Sequence, residues 1–346
     1  MYKEIHIIGA GVAGLLLANN MINSGIKLNV YEQKKDIKEG NEPSGIVSIE
    51  AYNRLGFDAR EAVMGSLYGA RLHVNKKTFI IESKEKRAIV LDRTKLNEIL
   101  FKSIKDKTNL VMGKRLDSNA IKGLKGLIVG ADGYTSIVAN TFGFPPINRF
   151  ILTYRAEYDF KNNEKLVDLY FGEYSKGLFA WVSPEGNKEI EVGIGIDSRY
   201  GNAKKMFERF LKEENLDFGK PKKEYAYAIP MEWRKRFVKD NVLLIGDAAG
   251  QTKPISGGGI SMLTKIMPFA IEAIKKEKLS IYENKVKKLL KKELFIQNRV
   301  RWYYYSKNRM YYLLKFANSI GLLNGLSKYG IMDSLTTSFK RIILRR

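Results

Sequence analysis

Four short, mostly apolar stretches of this chain are each followed, directly or one residue later, by glycine or by an acidic residue. They lie at Glu4–Ile8, Lys27–Tyr31, residues 126–130 and residues 242–245. Continuous apolar runs of this length are typical of parallel strands that are buried on both faces. Residues 15–22 follow the first run and read as a helix. The pattern therefore predicts a parallel sheet built from distant parts of the chain.

Residues 69–92 and 148–230 show a different pattern, in which apolar and polar positions often alternate. In the second region, segments 151–158, 167–172, 178–182, 189–196 and 224–228 each read as a strand, and 202–211 as a helix. Alternation with a period of two is typical of antiparallel strands with one covered face. These residues predict a second, antiparallel sheet.

A glycine-rich turn directly follows the first apolar strand. Gly9 permits the turn, Gly11 leaves the backbone open to a pyrophosphate, and Gly14 lets the following helix pack on the strand. Glu32 ends the second strand, where it can accept hydrogen bonds from ribose hydroxyls. This spacing alone is weak, but strand, turn, helix, strand and acid in order predict a dinucleotide site.

The last apolar strand leads into a second glycine-rich loop. Asp247 can accept hydrogen bonds from sugar or ribityl hydroxyls, although it would repel phosphate. The backbone N–H groups of Gly257, Gly258 and Gly259 can face an anion or a carbonyl edge at a helix start. The loop suits a long cofactor with a polyol linker and a redox ring. By itself it is also compatible with an ordinary glycine-rich turn.

Composition excludes several kinds of site. The chain has 346 residues and no cysteine, so disulfides, thiolate nucleophiles and cysteine-bound metals are excluded. His6 and His73 are the only histidines, which argues against a multi-histidine metal site. No run of 18 apolar residues occurs, and the first strand starts close to Met1. We therefore expect a cytoplasmic protein with neither a spanning helix nor a metal.

Charge is concentrated towards the C-terminus. The net charge is +23, and residues 285–346 contribute 15 Lys or Arg against two acids, Glu293 and Asp333. Aromatic residues are interleaved with these cations. Such a segment can form a helical cap on the core, lie on anionic headgroups or, less plausibly, bind nucleic acid. The sequence alone leaves these alternatives open, and we expect no nucleic-acid partner.

The motifs at 9–14, 91–93, 130–133 and 246–251 recur in this order in flavoproteins of the p-hydroxybenzoate hydroxylase fold. Within that group the chain most resembles the geranylgeranyl reductase family, including archaeal lipid reductases. The resemblance rests on GDAAGQTKP at 246–254, on GGGI at 257–260 and on GLFAWVSPEG at 177–186. It covers roughly residues 1–270, and the motifs are specific only in combination.

The resemblance implies an α/β fold with a discontinuous, Rossmann-like FAD-binding domain at 1–147 and 231–284. An antiparallel-sheet substrate domain would occupy 148–230, with residues 69–91 as a possible addition. Residues 285–346 would form a basic helical C-terminal cap.

The motifs and the resemblance together give a set of expected site residues. No catalytic residue can be named. The expected cofactor-binding residues are Gly9, Gly11, Ala13, Gly14, Glu32, Gln33, Ser44, Gly45, Ile46, Arg93, Asp132, Gly133, Gly246, Asp247, Pro254, Gly257, Gly258, Gly259 and Ile260. The expected substrate-binding residues are Phe179, Trp181 and Pro184.

The resemblance also implies a function. The chain would use FAD to saturate double bonds of an isoprenoid (geranylgeranyl) lipid by hydride transfer, as in archaeal phospholipid biosynthesis. It would associate peripherally with an anionic membrane surface. Because a second dinucleotide fingerprint is absent from the sequence, electrons could come from an acidic carrier such as a ferredoxin. The alternatives are a monooxygenase or halogenase of the same fold, and a basic lipid- or nucleic-acid-binding protein with a vestigial flavin site.

The sequence departs from the family at three places. Many members carry a cysteine in the loop before the first long helix, where this chain has Pro43, Ser44 and Gly45. Ser183 replaces an expected Phe, and Phe179 stands where a Tyr is frequent. These changes leave the flavin site in place but put the substrate in doubt.

Overall fold

The computed structural model describes residues 2–40 and 44–344. Its strands, in chain order, are β1 (Glu4–Ile8), β2 (Lys27–Tyr31), β3 (Ile46–Ser48), β4 (Val63–Leu67), β5 (Gly69–Val74), β6 (Lys77–Glu82), β7 (Ala88–Leu91), β8 (Asn109–Val111), β9 (Leu127–Gly130), β10 (Phe150–Asp159), β11 (Leu166–Tyr170), β12 (Ala180–Pro184), β13 (Glu189–Asp197), β14 (Lys223–Pro230), β15 (Val238–Lys239) and β16 (Val242–Leu244). Its α-helices are α1 (Val12–Met21), α2 (Ile49–Asn53), α3 (Arg93–Ile104), α4 (Ser118–Lys122), α5 (Ile137–Thr141), α6 (Ala203–Glu213), α7 (Gly259–Lys275), α8 (Ser280–Tyr303), α9 (Lys307–Ser319), α10 (Leu322–Tyr329) and α11 (Leu335–Leu344).

The four apolar stretches lie in one six-stranded sheet with the order β15-β16-β9-β1-β2-β8. All neighbours are parallel except the edge pair β15 and β16. Helices α1 and α7 bury their apolar residues in the same core as the central strands. Because parallel strands end at the same edge, the turns after β1, β9 and β16 come together there.

The second sheet has seven strands in the order β14-β10-β13-β12-β11-β5-β6. The strands from residues 148–230 pair antiparallel throughout, as predicted, whereas β5, from outside that range, pairs with β11 in parallel. No hairpin joins these two strands, which lie far apart in the chain, so no short connection imposes an antiparallel arrangement. Helix α6 packs against β10 and β13.

Residues 69–91 are divided between two sheets. Strands β5 and β6 lie in the seven-stranded sheet, whereas β7 lies in a small third sheet with the order β3-β7-β4. Strand β7 pairs antiparallel with both of its neighbours. The domain boundaries given above remain a prediction.

The C-terminal helices α8–α11 wrap around both larger sheets. Helix α8 packs on α7, α9 approaches β5, α10 lies beside β6, and α11 returns to α8. In the loop before α11, Asp333 is only 1% exposed. No helix within residues 2–40 or 44–344 is both long and apolar enough to cross a membrane.

Candidate cofactor and substrate site

One cavity of about 870 Å³, here called the central cavity, reaches from the glycine turn after β1 to the C-terminal helices. Its walls come from the carboxyl edge of the six-stranded sheet, one face of the seven-stranded sheet, and the loop at 253–259. Residues from separate parts of the chain therefore surround a single elongated space.

The glycines of the first turn have different surroundings. Gly9 has a positive φ of 102°, and a Cβ there would lie 2.5 Å from the carbonyl oxygen of Ala131. A Cβ at Gly14 would overlap the carbonyl oxygen of Gly9. A Cβ at Gly11, the N-cap of α1, would meet no protein atom within 4 Å. Gly11 lines the cavity, so this open space is available to a ligand.

Glu32 connects the second strand to this turn. The residue is 7% exposed and lines the cavity. Its Oε2 accepts a hydrogen bond of 2.7 Å from the Ala10 N–H, and its Oε1 accepts one of 3.0 Å from the Lys34 N–H. Each carboxylate oxygen can accept further hydrogen bonds, which leaves capacity for hydroxyl groups in the cavity.

Asp132, in the turn after β9, is held by the helix that follows it. Its carboxylate accepts hydrogen bonds from the Ser136 hydroxyl (2.7 Å) and the Val138 N–H (3.0 Å), at the start of α5. Burial raises the pKa of Asp132, and these hydrogen bonds oppose that rise. The Asp132 side chain thus stabilises the turn, and both Asp132 and Gly133 form part of the cavity wall.

Asp247 lies between the two larger sheets. The Tyr227 hydroxyl of β14 donates a 2.7 Å hydrogen bond to its Oδ2. Burial raises the pKa of Asp247, while the Tyr227 hydrogen bond and the positive charge of Arg93 lower it. Gly257 (φ 69°) and Gly258 then lead into α7, and Gly258 is the N-cap of that helix. The positive end of the α7 dipole therefore faces the cavity.

Two serine hydroxyls on the cavity wall are buried without a hydrogen-bond partner in the described structure. They belong to Ser44, before β3, and to Ser256, in the 253–259 loop. Buried hydroxyls normally have partners, which a polar ligand or an ordered water can supply. Together with the open space at Gly11, they fit an extended dinucleotide with a polar ring system. Pro43 lies outside the described residues.

Trp181 of β12, one of the residues predicted to bind substrate, lines the cavity. Its indole lies across β13, where a Cβ at Gly193 would collide with the ring. The Trp181 Nε1–H donates a 2.6 Å hydrogen bond to Oε1 of Glu191, and Arg155 donates one of 2.8 Å to Oε2. The sequence reasoning did not identify Arg155 or Glu191. The strand pattern does not single them out, because β10 also contains Glu157 and Asp159, and β13 also contains Glu189 and Asp197.

The part of the cavity between the seven-stranded sheet and the C-terminal segment has many apolar lining residues, and Ser83, Arg87, Ser327 and Ser338 also line the cavity. Strands β4, β5, β6 and β11 supply its sheet side, and α10, α11 and the loop between them supply the opposite side. The apolar lining residues in this part are Leu67, Ala70, Leu72, Ile81, Val167, Leu169, Leu326, Ile331, Met332 and Leu335. The sequence reasoning assigned the C-terminal segment to a cap and missed its part in the cavity wall, because helical periodicity does not reveal what a face packs against.

Most of the predicted site residues line this one cavity. They are Gly9, Gly11, Ala13, Glu32, Gln33, Ser44, Ile46, Arg93, Asp132, Gly133, Gly246, Asp247, Gly257, Gly258, Gly259, Ile260, Phe179 and Trp181.

Four predicted site residues lie behind the wall. Gly14 packs on Gly9, and Gly45 packs on the Leu91 carbonyl. The Pro254 carbonyl accepts a long, 3.5 Å hydrogen bond from Arg301. Pro184 is buried at the end of β12.

Known proteins resemble this chain over almost its full length. It is 25% identical over 377 aligned positions to a digeranylgeranylglycerophospholipid reductase from Methanococcus vannielii, with 98% of this chain and 92% of the relative covered. A digeranylgeranylglycerophospholipid reductase 1 from Methanosphaera stadtmanae is 26% identical, with 74% of this chain and 71% of the relative covered. The chain is thus similar to relatives named as digeranylgeranylglycerophospholipid reductases at 25–26% identity. No family model matches it.

Solved structures confirm the fold. A geranylgeranyl bacteriochlorophyll reductase-like protein from Thermoplasma acidophilum has a TM-score of 0.80 at 18% identity, with 98% of this chain and 95% of that chain covered. HpxO from Klebsiella pneumoniae in complex with FAD has a TM-score of 0.72 at 17% identity, with 96% and 100% covered. The flavin-dependent brominase Bmp2 has a TM-score of 0.70 at 15% identity, with 94% and 92% covered. These likenesses show the fold of this chain; HpxO is the neighbour described as complexed with FAD, and Bmp2 the one described as flavin-dependent.

Proposed function

We propose that this chain is a geranylgeranyl reductase that saturates isoprenoid double bonds of a lipid by hydride transfer from reduced FAD. One observation carries the proposal: a single cavity joins a dinucleotide-type glycine turn to an apolar chamber. A polar ligand at one end and a hydrocarbon chain at the other can therefore share one enclosed space.

Particular groups support binding of FAD. The open backbone at Gly11 and the N-terminus of α1 suit the pyrophosphate, and Glu32 suits the adenosine ribose. Asp247 can accept hydrogen bonds from hydroxyl groups in the ribityl–pyrophosphate region of FAD. The N-terminus of α7, after Gly258, favours negative charge at a ring edge. FAD supplies the hydride chemistry, and the protein positions it and stabilises its charge.

An isoprenoid substrate is supported by the apolar end of the cavity. Leu72, Val167 and Leu169 of the seven-stranded sheet line the cavity, as do Ile331 and Leu335 of the C-terminal segment. Burying apolar surface is worth about 25 cal/mol per Å², so a long hydrocarbon chain gains substantially from this space. The relatives named as digeranylgeranylglycerophospholipid reductases agree with such a chain.

Helix α9 supports peripheral association with a membrane. Its buried face contributes Met310 and Leu314 to the apolar cluster behind the cavity wall. Its outer face exposes Tyr312 (66%) and Phe316 (62%), and Ile320 (44%) continues the same stripe. Lysines and arginines surround these residues, so anionic headgroups would be attracted while aromatic side chains enter the interface. A lipid substrate would then be close to its chamber.

The source of electrons is proposed from charge. The sequence has one dinucleotide fingerprint, which the FAD site uses, and a net charge of +23. A small acidic electron carrier such as a ferredoxin is attracted to so basic a protein, and this attraction accelerates its association at low salt.

The test is anaerobic turnover. The FAD-loaded protein is reduced chemically and incubated with a digeranylgeranylglycerophospholipid, and the product is analysed by mass spectrometry. We expect a gain of two hydrogens per saturated bond. An unchanged lipid, in a protein whose FAD is fully reduced, would contradict the proposal.

A monooxygenase or halogenase is the second candidate, since the brominase Bmp2 has the same fold. Its signature is oxygen-dependent consumption of NAD(P)H with a hydroxylated or halogenated product.

The third candidate is a basic binding protein with a vestigial flavin site. Such a protein would be colourless after purification and would bind anionic liposomes or nucleic acid.

A further inference from the structure

Asp333 is a buried carboxylate in the loop between α10 and α11. The residue is 1% exposed. Lys253, which is 2% exposed, approaches it with a distance of 2.9 Å between Nζ and Oδ1. Burial raises the pKa of Asp333, but the charge of Lys253 and the hydrogen bond from Ser48 outweigh it and hold that pKa well below its usual range. The carboxylate is therefore ionised and fully engaged.

Lys253 is the first residue of the loop that leads into α7. Its carbonyl oxygen accepts a 2.8 Å hydrogen bond from the Gly257 N–H. Its side chain lies against Gly258, where a Cβ would be 2.6 Å from the lysine Cε. The orientation of the Lys253 side chain and the position of the glycine turn are thus linked.

The other contacts of Asp333 reach two further parts of the site. The Ser48 hydroxyl donates to its Oδ2, and Arg54 donates a 3.1 Å hydrogen bond to the same atom. Ser48 ends β3, whose first residue, Ile46, lines the cavity. On α7, Lys265 donates a 2.6 Å hydrogen bond to the Asp333 carbonyl oxygen. One residue of the C-terminal segment therefore joins the 253–259 loop, the β3–α2 corner and α7.

We propose that Asp333 is a positioning residue for the cofactor site: it holds Lys253 and Ser48, so that the C-terminal segment fixes the glycine turn at 257–259. The inference rests on the proposed FAD site. A buried ion pair gives little net stability, because desolvation offsets the attraction, and its best-supported role is to specify one arrangement. Here the ion pair would specify the position of the C-terminal segment relative to the 253–259 loop.

The test compares Asp333→Asn with Glu293→Gln. The Glu293 side chain binds the same segment, accepting hydrogen bonds from the Leu335 and Thr336 N–H groups and from the Ser334 and Thr336 hydroxyls. It has no hydrogen bond with the 253–259 loop in the described structure. The Kd for FAD is measured from the quenching of flavin fluorescence, and the visible spectrum of the bound flavin is recorded.

We expect Asp333→Asn to raise the FAD Kd about tenfold or more, which corresponds to about 1.4 kcal/mol, and to change the flavin spectrum. Glu293→Gln should leave both at the wild-type values. An unchanged Kd and spectrum in folded Asp333→Asn would overturn the proposal. Equal weakening in both variants would also overturn it, since the segment would then act only as a general support.

A third variant covers the case in which Asp333→Asn does not fold. The double substitution Lys253→Met with Asp333→Leu removes both charges, and such replacements are often neutral or stabilising. Folded protein with weakened FAD binding supports the proposal, and folded protein with wild-type binding overturns it. If wild-type protein binds no FAD, the proposed function itself fails, and this outcome is distinct from the others.

Discussion

Alanine substitutions at Gly11 and Gly14 should separate cofactor binding from folding. The two glycines are three residues apart in the same turn, but their surroundings differ. A Cβ at Gly11 points into open space on the cavity wall, whereas a Cβ at Gly14 overlaps the Gly9 carbonyl oxygen. Gly11 has φ −72° and ψ 178°, so alanine fits its backbone without strain.

The expected magnitudes follow from these contacts. For Gly11→Ala, only the N-cap preference of α1 is lost, so the apo-protein should lose no more than about 1 kcal/mol of unfolding free energy. The methyl group would occupy the approach of the pyrophosphate, and we expect the FAD Kd to rise about 100-fold, or about 2.8 kcal/mol. For Gly14→Ala, the overlap forces α1 away from β1 and should cost about 1–3 kcal/mol of unfolding free energy.

The assay is urea unfolding of the apo-proteins together with FAD titration of each variant. Gly14→Ala is the matched control, because its main effect should be on the unfolding free energy. If Gly11→Ala bound FAD as tightly as the wild type, the assignment of this turn to the pyrophosphate would be refuted.

Three further predictions concern other parts of the chain. Burial raises the pKa of Glu185 from 4.5 to about 8. At pH values between these two, the folded state retains a proton that the unfolded state has lost. The unfolding free energy should therefore fall by on the order of 2 kcal/mol from pH 5 to pH 8.5 in urea titrations, and Glu185→Gln should abolish this slope. Gly193→Ala should displace the Trp181 indole, at a cost of roughly 1–3 kcal/mol in unfolding free energy and with changed tryptophan fluorescence; wild-type values of both would contradict the packing. Phe316→Asp should reduce binding to anionic vesicles by about tenfold or more in sedimentation assays. Phe160→Asp, at an exposed phenylalanine directly after β10, should not.

The turns of the parallel sheet could be predicted because local signals define them. The glycine turn after β1 and the loop after β16 each follow an apolar strand. Both contain glycines at positions that require a residue without a side chain. The rule that parallel strands end at one edge then brings distant turns together. Gly9, Asp132 and Asp247 accordingly line one cavity.

Other features depend on packing between distant elements, which periodicity does not report. The pairing of β5 with β11 in parallel joins residues about 100 positions apart in the chain. Asp333 reads as an isolated acid in a basic segment, but its partner Lys253 lies 80 residues away. Arg155 and Glu191 are similarly brought together only by the register of β10 and β13. No local pattern identifies these pairs.

The most direct test of the proposed reductase activity is anaerobic reoxidation of the reduced, FAD-loaded protein by lipid. Visible absorbance reports oxidised flavin, and the saturated form of the same lipid serves as the control. We predict that the geranylgeranyl lipid restores the absorbance with one double bond lost per flavin, and that the saturated lipid does not. Flavin that stays reduced with both lipids and reoxidises only when oxygen is admitted would contradict it.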